Sequence, residues 1–206
     1  MKKSLIAKLF SGFVLIIIAT LFVFYFRSGD KISEPDSPIY RRHTAKSAKI
    51  KIFEHSDFAC PACAFSHKQL KEIMKIYEGR IDLNYKYYPL TIIHPYSMDA
   101  SLYAECAGKQ GKFWELADLL FENQEKWARN EKYREVFDGF VSSLKLDKTQ
   151  FEQCLKDPQV LKDIKMDISY GDLMGVDAMP TLFVNGKRAV GFRQLLEIFK
   201  KEASAL

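Results

Sequence analysis

The sequence predicts a mixed α/β domain. A strand–helix–strand unit and a closing strand–strand–helix unit are separated by an inserted block of helices, and one apolar transmembrane helix precedes the whole. Three observations carry this reading. A β-prone run hands over at Cys60-Pro61-Ala62-Cys63 to a stretch with helical periodicity. Apolar residues at helical spacing then fill about 97–174. Near the C-terminus, Asn185-Gly186 sits between two short apolar runs, the signature of a tight hairpin.

The N-terminal element is an apolar run from Leu9 to Phe26, 18 residues interrupted only by Ser11, Gly12 and Thr20. That length just spans a bilayer as a helix. Lys2, Lys3 and Lys8 precede it and favour a cytoplasmic N-terminus, so the rest of the chain is exported. The run ends in Phe24-Tyr25-Phe26, without the small-residue site that a cleaved signal peptide carries. Residues 1–8 are therefore assigned to the cytoplasmic side and 9–26 to a transmembrane signal-anchor in the cell membrane. The alternative is a cleaved signal and a free periplasmic domain. Residues 27–47, polar with Pro35 and Pro38, read as a linker whose extended reach is on the order of 70 Å. The folded domain is assigned to 48–202, with its helical insertion at about 97–174.

Within that domain, Ile50, Ile52 and Phe53 mark the first strand. Pro61 fits the first position of a helix, where its missing N–H costs nothing. Leu70, Ile73, Met74 and Tyr77 continue that helix at i, i+3, i+4 and i+7, and Gly79 stops it. Ile81, Leu83, Tyr85 and Tyr87 alternate with Asp82, Asn84 and Lys86 in a second strand. Ser97 is expected to cap the first inserted helix. Helices around Phe113–Leu120 and Tyr133–Leu144 come next. Asp147 with Gln150 resembles a capping box, and Asp157-Pro158 an N-cap with its first turn. Thr181–Val184, Asn185-Gly186 and 187–190 form the hairpin, and an amphipathic helix over 193–200 closes the chain.

Composition supports one core. Of the 206 residues 48% are hydrophobic and 14% aromatic, and the +5 net charge leaves no nucleic-acid footprint once the terminal lysines are set aside. Four cysteines are too few for a disulfide scaffold; they suit one reactive pair and two others. Cys60 and Cys63 can close a ring. At a helix start, unpaired N–H groups and the dipole favour a thiolate, so Cys60 is the nucleophile. Cys63, a turn further in, is placed to resolve a mixed disulfide. These helix-end effects, more than side chains, are expected to depress the Cys60 thiol. A structural disulfide and a zinc half-site are the competing readings; His55 and His67 lie nearby, but no second cysteine pair completes a ligand set. No metal or cofactor is expected.

The run Phe58-Ala59-Cys60-Pro61-Ala62-Cys63, with Met179-Pro180-Thr181 ahead of a hairpin far downstream, resembles the DsbA-like thiol:disulfide oxidoreductases of the thioredoxin superfamily. Tyr103-Ala104-Glu105-Cys106-Ala107 through Gln110-Gly111-Lys112-Phe113-Trp114 is similar to that branch's helical insertion, and the likeness covers roughly 49–200. The resemblance implies a thioredoxin fold and a cis bond at Pro180, whose neighbour Met179 can pair its backbone with an extended substrate. It implies that Glu54 is a buried acid relaying a proton to or from Cys63, against the alternative of an ordinary strand-end carboxylate. Pro61 and Ala62 support the pair, but Ala62 departs from the polar or ring residue that strong oxidants of the family carry there. Some members hold a second disulfide in the insertion. Here Cys106 and Cys154 either pair, worth about 4 kcal/mol in the chain-entropy picture, or stand as two separate buried thiols. Phe58 is expected to border an apolar peptide groove, and His94 to be structural.

The function expected is disulfide formation in exported proteins. Their thiols are the substrates, and a membrane redox partner reoxidises the enzyme. Two other readings remain: a disulfide reductase or isomerase, and a non-enzymatic thiol-dependent binding or metal-handling module.

Overall fold

The computed structural model describes residues 34–45 and 47–204. The run at 9–26 read as a transmembrane anchor lies outside the described residues, within which no helix is long and apolar enough to cross a membrane. The described residues from Pro35 onward form one compact unit.

A 3-10 turn at Ile39–Arg41 leads into β1 (Arg42–His43). β2 (Ile50–Ser56), α1 (Pro61–Ile76) and β3 (Ile81–Tyr87) come next. The helical insertion comprises α2 (Ser97–Lys109), α3 (Phe113–Glu122), α4 (Gln124–Trp127), α5 (Tyr133–Ser143), α6 (Lys148–Lys156) and α7 (Pro158–Leu173). β4 (Thr181–Val184), β5 (Lys187–Val190) and α8 (Gly191–Ala203) complete the chain. The sheet runs β1-β3-β2-β4-β5, with only β2 and β3 parallel. This is a thioredoxin-like sheet with the expected inserted helices.

Strand periodicity puts most of the apolar side chains of β2, β3 and β4 on one sheet face, where they divide between two clusters along the strands. Ile50 and Ile52 of β2, Ile81 and Leu83 of β3, and Leu182 and Val184 of β4 share a buried cluster with Leu70 and Ile73 of α1 and Leu195 and Phe199 of α8. Tyr85 and Tyr87 join a second cluster that runs through the insertion to Phe137 and Ile164. Asn185 and Gly186 both take positive φ, 47° and 79°, as the hairpin turn requires. Asp147 accepts from the Gln150 N–H and Asp157 from the Gln159 N–H, capping α6 and α7 respectively.

Two expectations need correction. Ser97 is not a cap: it lies inside α2, and its hydroxyl donates to the His94 carbonyl at 2.9 Å. The stretch 35–43 is not a linker. The Ser37 N–H donates to Asn84 Oδ1 (3.0 Å), Lys86 Nζ donates to the Pro35 carbonyl (2.7 Å), and β1 pairs with β3. Arg41 is buried between Glu105 (3.1 Å) and Asp167 (2.5 Å). Polar composition read as solvated because the partners of this strap lie far along the chain.

Candidate active site

β2 delivers the chain to a turn built on one carboxylate. Asp57 is buried; it accepts from the N–H groups of Ala59 (2.8 Å) and Leu90 (2.9 Å) and pairs with His94 Nδ1 (2.7 Å). The Cys60 N–H donates to the Asp57 carbonyl (3.1 Å). From α4, Gln124 Nε2 donates to the carbonyls of Phe58 (2.6 Å) and Cys60 (3.0 Å). The cysteine turn is thereby tied to the loop after β3 and to the insertion. Cys60 is the N-cap of α1 and Pro61 opens the helix; the Cys60 carbonyl accepts from the N–H groups of Cys63 (3.0 Å) and Ala64 (3.1 Å). Pro61 and Ala62 are exposed beside it.

Both thiols are free, and their environments differ. Cys60 is 8% exposed and Cys63 fully buried. Cys60 is lowered to about 6. The largest cause is a hydrogen bond from the Cys63 thiol; burial opposes it, and the backbone N–H groups of Cys63 and Ala62 add to it. The helix end therefore contributes, but the partner thiol outweighs it, a correction to the expected order. Cys63 is raised well above the ordinary thiol range, by burial first and then by its bond to Cys60. One sulfur is an anion at neutral pH and the other its hydrogen-bond donor.

Behind Cys63 lies a polar chamber. Glu54 follows Ile50 and Ile52 on the β2 face turned toward α1, and it is opposite Tyr85 on β3. It is fully buried, and neither of its oxygens has a hydrogen-bond partner among the described residues. Burial raises it to about 7, only partly offset by His67 and Ser56. The hydroxyls of Ser56 and Tyr85 are buried there without a well-formed hydrogen bond among the described residues, and so is the Ser66 hydroxyl on the buried face of α1.

The Met179–Pro180 peptide is cis. His55 faces Thr181 across β2 and β4, so Pro180 lies level with the end of β2, and Met179 packs on the cluster that holds both thiols. Phe58 does not border a groove: it is fully buried, stacked on Tyr85 at 5.2 Å and packed on Phe121 at 4.9 Å. A cavity of about 400 Å³ beside Cys60 is lined instead by Ala59, Pro61, His94, Gln124, Ala128 and Arg129. Within the insertion, Cys106 and Cys154 are bonded, tying α2 to α6 with their Cα atoms 5.7 Å apart. Sequence reasoning missed Asp57 and Gln124; neither stands in a local pattern that points to the thiols. Among the described residues no group of three or more His, Cys, Asp or Glu side chains is arranged to hold a metal ion.

A family model described as Thioredoxin matches residues 43–199. Among curated proteins, the Na(+)/H(+) antiporters NhaA 3 of Salinispora tropica and NhaA 1 of Salinispora arenicola are 33% and 34% identical over 146 residues. That match covers 71% of this chain but 22% of each antiporter, so the chain spans about a fifth of the length of these relatives. Among solved structures, alpha-DsbA1 of Wolbachia pipientis aligns with a TM-score of 0.70 at 17% identity, over 84% of this chain and 92% of its own. BdbD of Bacillus subtilis aligns with a TM-score of 0.67 at 21% identity, over 79% and 91%. At such identities these two structures speak for the fold.

Proposed function

Because this chain belongs to the thioredoxin family, we propose that it is a thiol:disulfide oxidoreductase of DsbA type that forms disulfides in exported proteins. One observation carries the reading: two free thiols a helical turn apart, the outer lowered to about 6 and the inner raised by burial. In the oxidised enzyme a substrate thiolate attacks the Cys60 sulfur. The Cys60–Cys63 bond breaks, and Cys63 leaves as a thiolate that takes up a proton. The substrate's second thiolate then attacks the mixed disulfide, and Cys60 leaves as a stabilised thiolate. Glu54 supplies the proton to Cys63 and takes it back on reoxidation, being buried, half-protonated near pH 7 and on the strand face beneath the helix. The Met179 backbone, beside the cis proline, pairs with an extended substrate segment.

The run at 9–26 anchors the enzyme in the cell membrane with the catalytic domain on the extracytoplasmic side. Reoxidation falls to a membrane disulfide donor, whose effective concentration the anchor raises. A reductase or isomerase is the second reading. Ala62 places no side-chain donor at the thiolate, and the buried Asp57 charge pushes the Cys60 thiol up.

Incubating the purified oxidised full-length chain with a reduced dithiol peptide tests the proposal. Oxidation of the peptide is expected, with none in Cys60→Ala, and a mixed disulfide through Cys60 is expected to accumulate when reduced Cys63→Ala is given the same peptide in its disulfide form. No peptide oxidation by the wild type, or undiminished oxidation by Cys60→Ala, rejects it.

A further inference from the structure

Cys63 and Glu54 are both sealed from solvent, yet exchange requires a proton to enter and leave their chamber at every turnover. His67 stands between the chamber and the surface. It lies one helical turn beyond Cys63, so both side chains project from the buried face of α1 together with Ser66. A proton on its ring favours the ionised form of Glu54. Its ring is 5% exposed and rests on Phe121 at 4.6 Å, while its Nε2 meets Asp118 Oδ1 at 2.7 Å. Asp118 is a third exposed, and its other oxygen accepts from Lys71 Nζ at 2.5 Å. On its outer side His67 lines two cavities, of about 560 and about 120 Å³.

The carboxylate of Asp118 can only accept, which fixes the hydrogen on Nε2 and leaves Nδ1 as the ring's acceptor. On the inner side, the oxygens of Glu54, Ser56 and Tyr85 are buried without a well-formed hydrogen bond among the described residues, and so is the Ser66 hydroxyl on the buried face of α1. Buried oxygens in such a group are the kind that internal water bridges.

We propose that His67, oriented by Asp118, is the relay through which protons pass between the buried Glu54–Cys63 chamber and solvent during dithiol–disulfide exchange. This rests on the oxidoreductase reading above. During reoxidation the proton leaves the Cys63 sulfur for a Glu54 oxygen. From there it passes over water to His67 Nδ1, giving an imidazolium beside the Asp118 carboxylate. The imidazolium then releases its Nε2 proton to bulk water by way of the Asp118 carboxylate, which leaves the Nδ1–H tautomer. The reverse sequence protonates Cys63 when substrate attacks and returns the ring to its Nε2–H form. The groups facing His67 are Cys63 and Lys71 of its own helix, Glu54 of β2, His43 of β1 and Asp118 of α3. Lys68, Glu72, Lys75 and Glu122 stand around the larger cavity.

The experiment measures single-turnover oxidation of a dithiol peptide by the full-length chain against pH, in wild type, His67→Ala and Asp118→Asn. Both variants are expected to be at least about tenfold slower, with an altered pH profile and an unchanged Cys60 thiolate titration. Imidazole in the buffer is expected to restore His67→Ala, since removal of the ring opens onto the larger cavity. Wild-type rates and pH profile in both variants overturn the relay, as does a loss of rate in His67→Ala that imidazole does not restore and that leaves the pH profile unchanged. Should His67→Ala not fold, Asp118→Asn alone decides by its rate and pH profile. If the wild-type chain itself fails to oxidise the peptide, the oxidoreductase reading falls and the relay with it. If only the variants behave as wild type, the relay falls alone.

Discussion

At Cys60 a thiol meets the first turn of a helix, while at Cys63, three residues on, the same group is sealed in the core. Ala62 sits between them, exposed, and gives the thiolate no side-chain donor. A cationic or donating side chain there stabilises the anion. Ala62→His should therefore move the Cys60 transition down by about one pH unit without disturbing the fold, as read from thiolate absorbance. An unmoved transition would show that the Cys63 thiol and the helix N–H groups already set the limit. Glu54 makes a prediction of opposite sign for stability. Its carboxyl stays protonated to about 7 in the fold, against 4.5 in the open chain. Between those values the unfolded chain has released a proton that the native one keeps, so stability falls as pH rises from 4.5 to 7. The loss is about 3 kcal/mol. Glu54→Gln should match the wild type in urea unfolding near pH 4 and exceed it by that order near pH 8. A difference that does not change with pH would mean that the carboxyl is not held protonated.

The strap ahead of β1 is held by charges rather than by apolar contact. Arg41 bridges Glu105 of α2 and Asp167 of α7, both buried, and Tyr40 donates to Glu105 beside it. Removing one partner of such a network leaves the others charged and desolvated. Arg41→Met should cost about 3–5 kcal/mol in chemical unfolding; a loss below about 1 kcal/mol would mark the pairs as solvated. The same contact explains Gly108. A Cβ there would come within 2.5 Å of Tyr40 Cδ2, so Gly108→Ala must push the strap away from α2. The Cys106–Cys154 bond acts on the insertion alone. Replacing both cysteines by alanine should lower stability by about 4 kcal/mol while peptide oxidation persists at a temperature where the variant is folded. Loss of that activity in the folded variant would tie the second disulfide to the chemistry.

Across the molecule, what could be read from sequence was what is encoded locally. The β2–α1–β3 passage, the helix caps at Asp147 and Asp157 and the Asn185-Gly186 turn each depend on residues within a few positions, and each is found where its pattern stands. Cys60 and Cys63 were legible for the same reason. The strap was not, because Arg41 is buried by a carboxylate 126 residues on, and the charges and prolines of 35–43 look solvated without it. Nor were Gln124, which reaches the Cys60 carbonyl across 64 residues, and the chamber behind Cys63, which appears only when β2, β3 and α1 are stacked. Long-range satisfaction of buried polar groups leaves no period in the sequence. The most direct test of the proposed chemistry is the thiolate titration of the reduced full-length chain by ultraviolet absorbance. One transition near 6 is predicted, absent from Cys60→Ala, with Cys63 silent until well above 9.0. Two thiols titrating together near 9.0, the ordinary value, would contradict it.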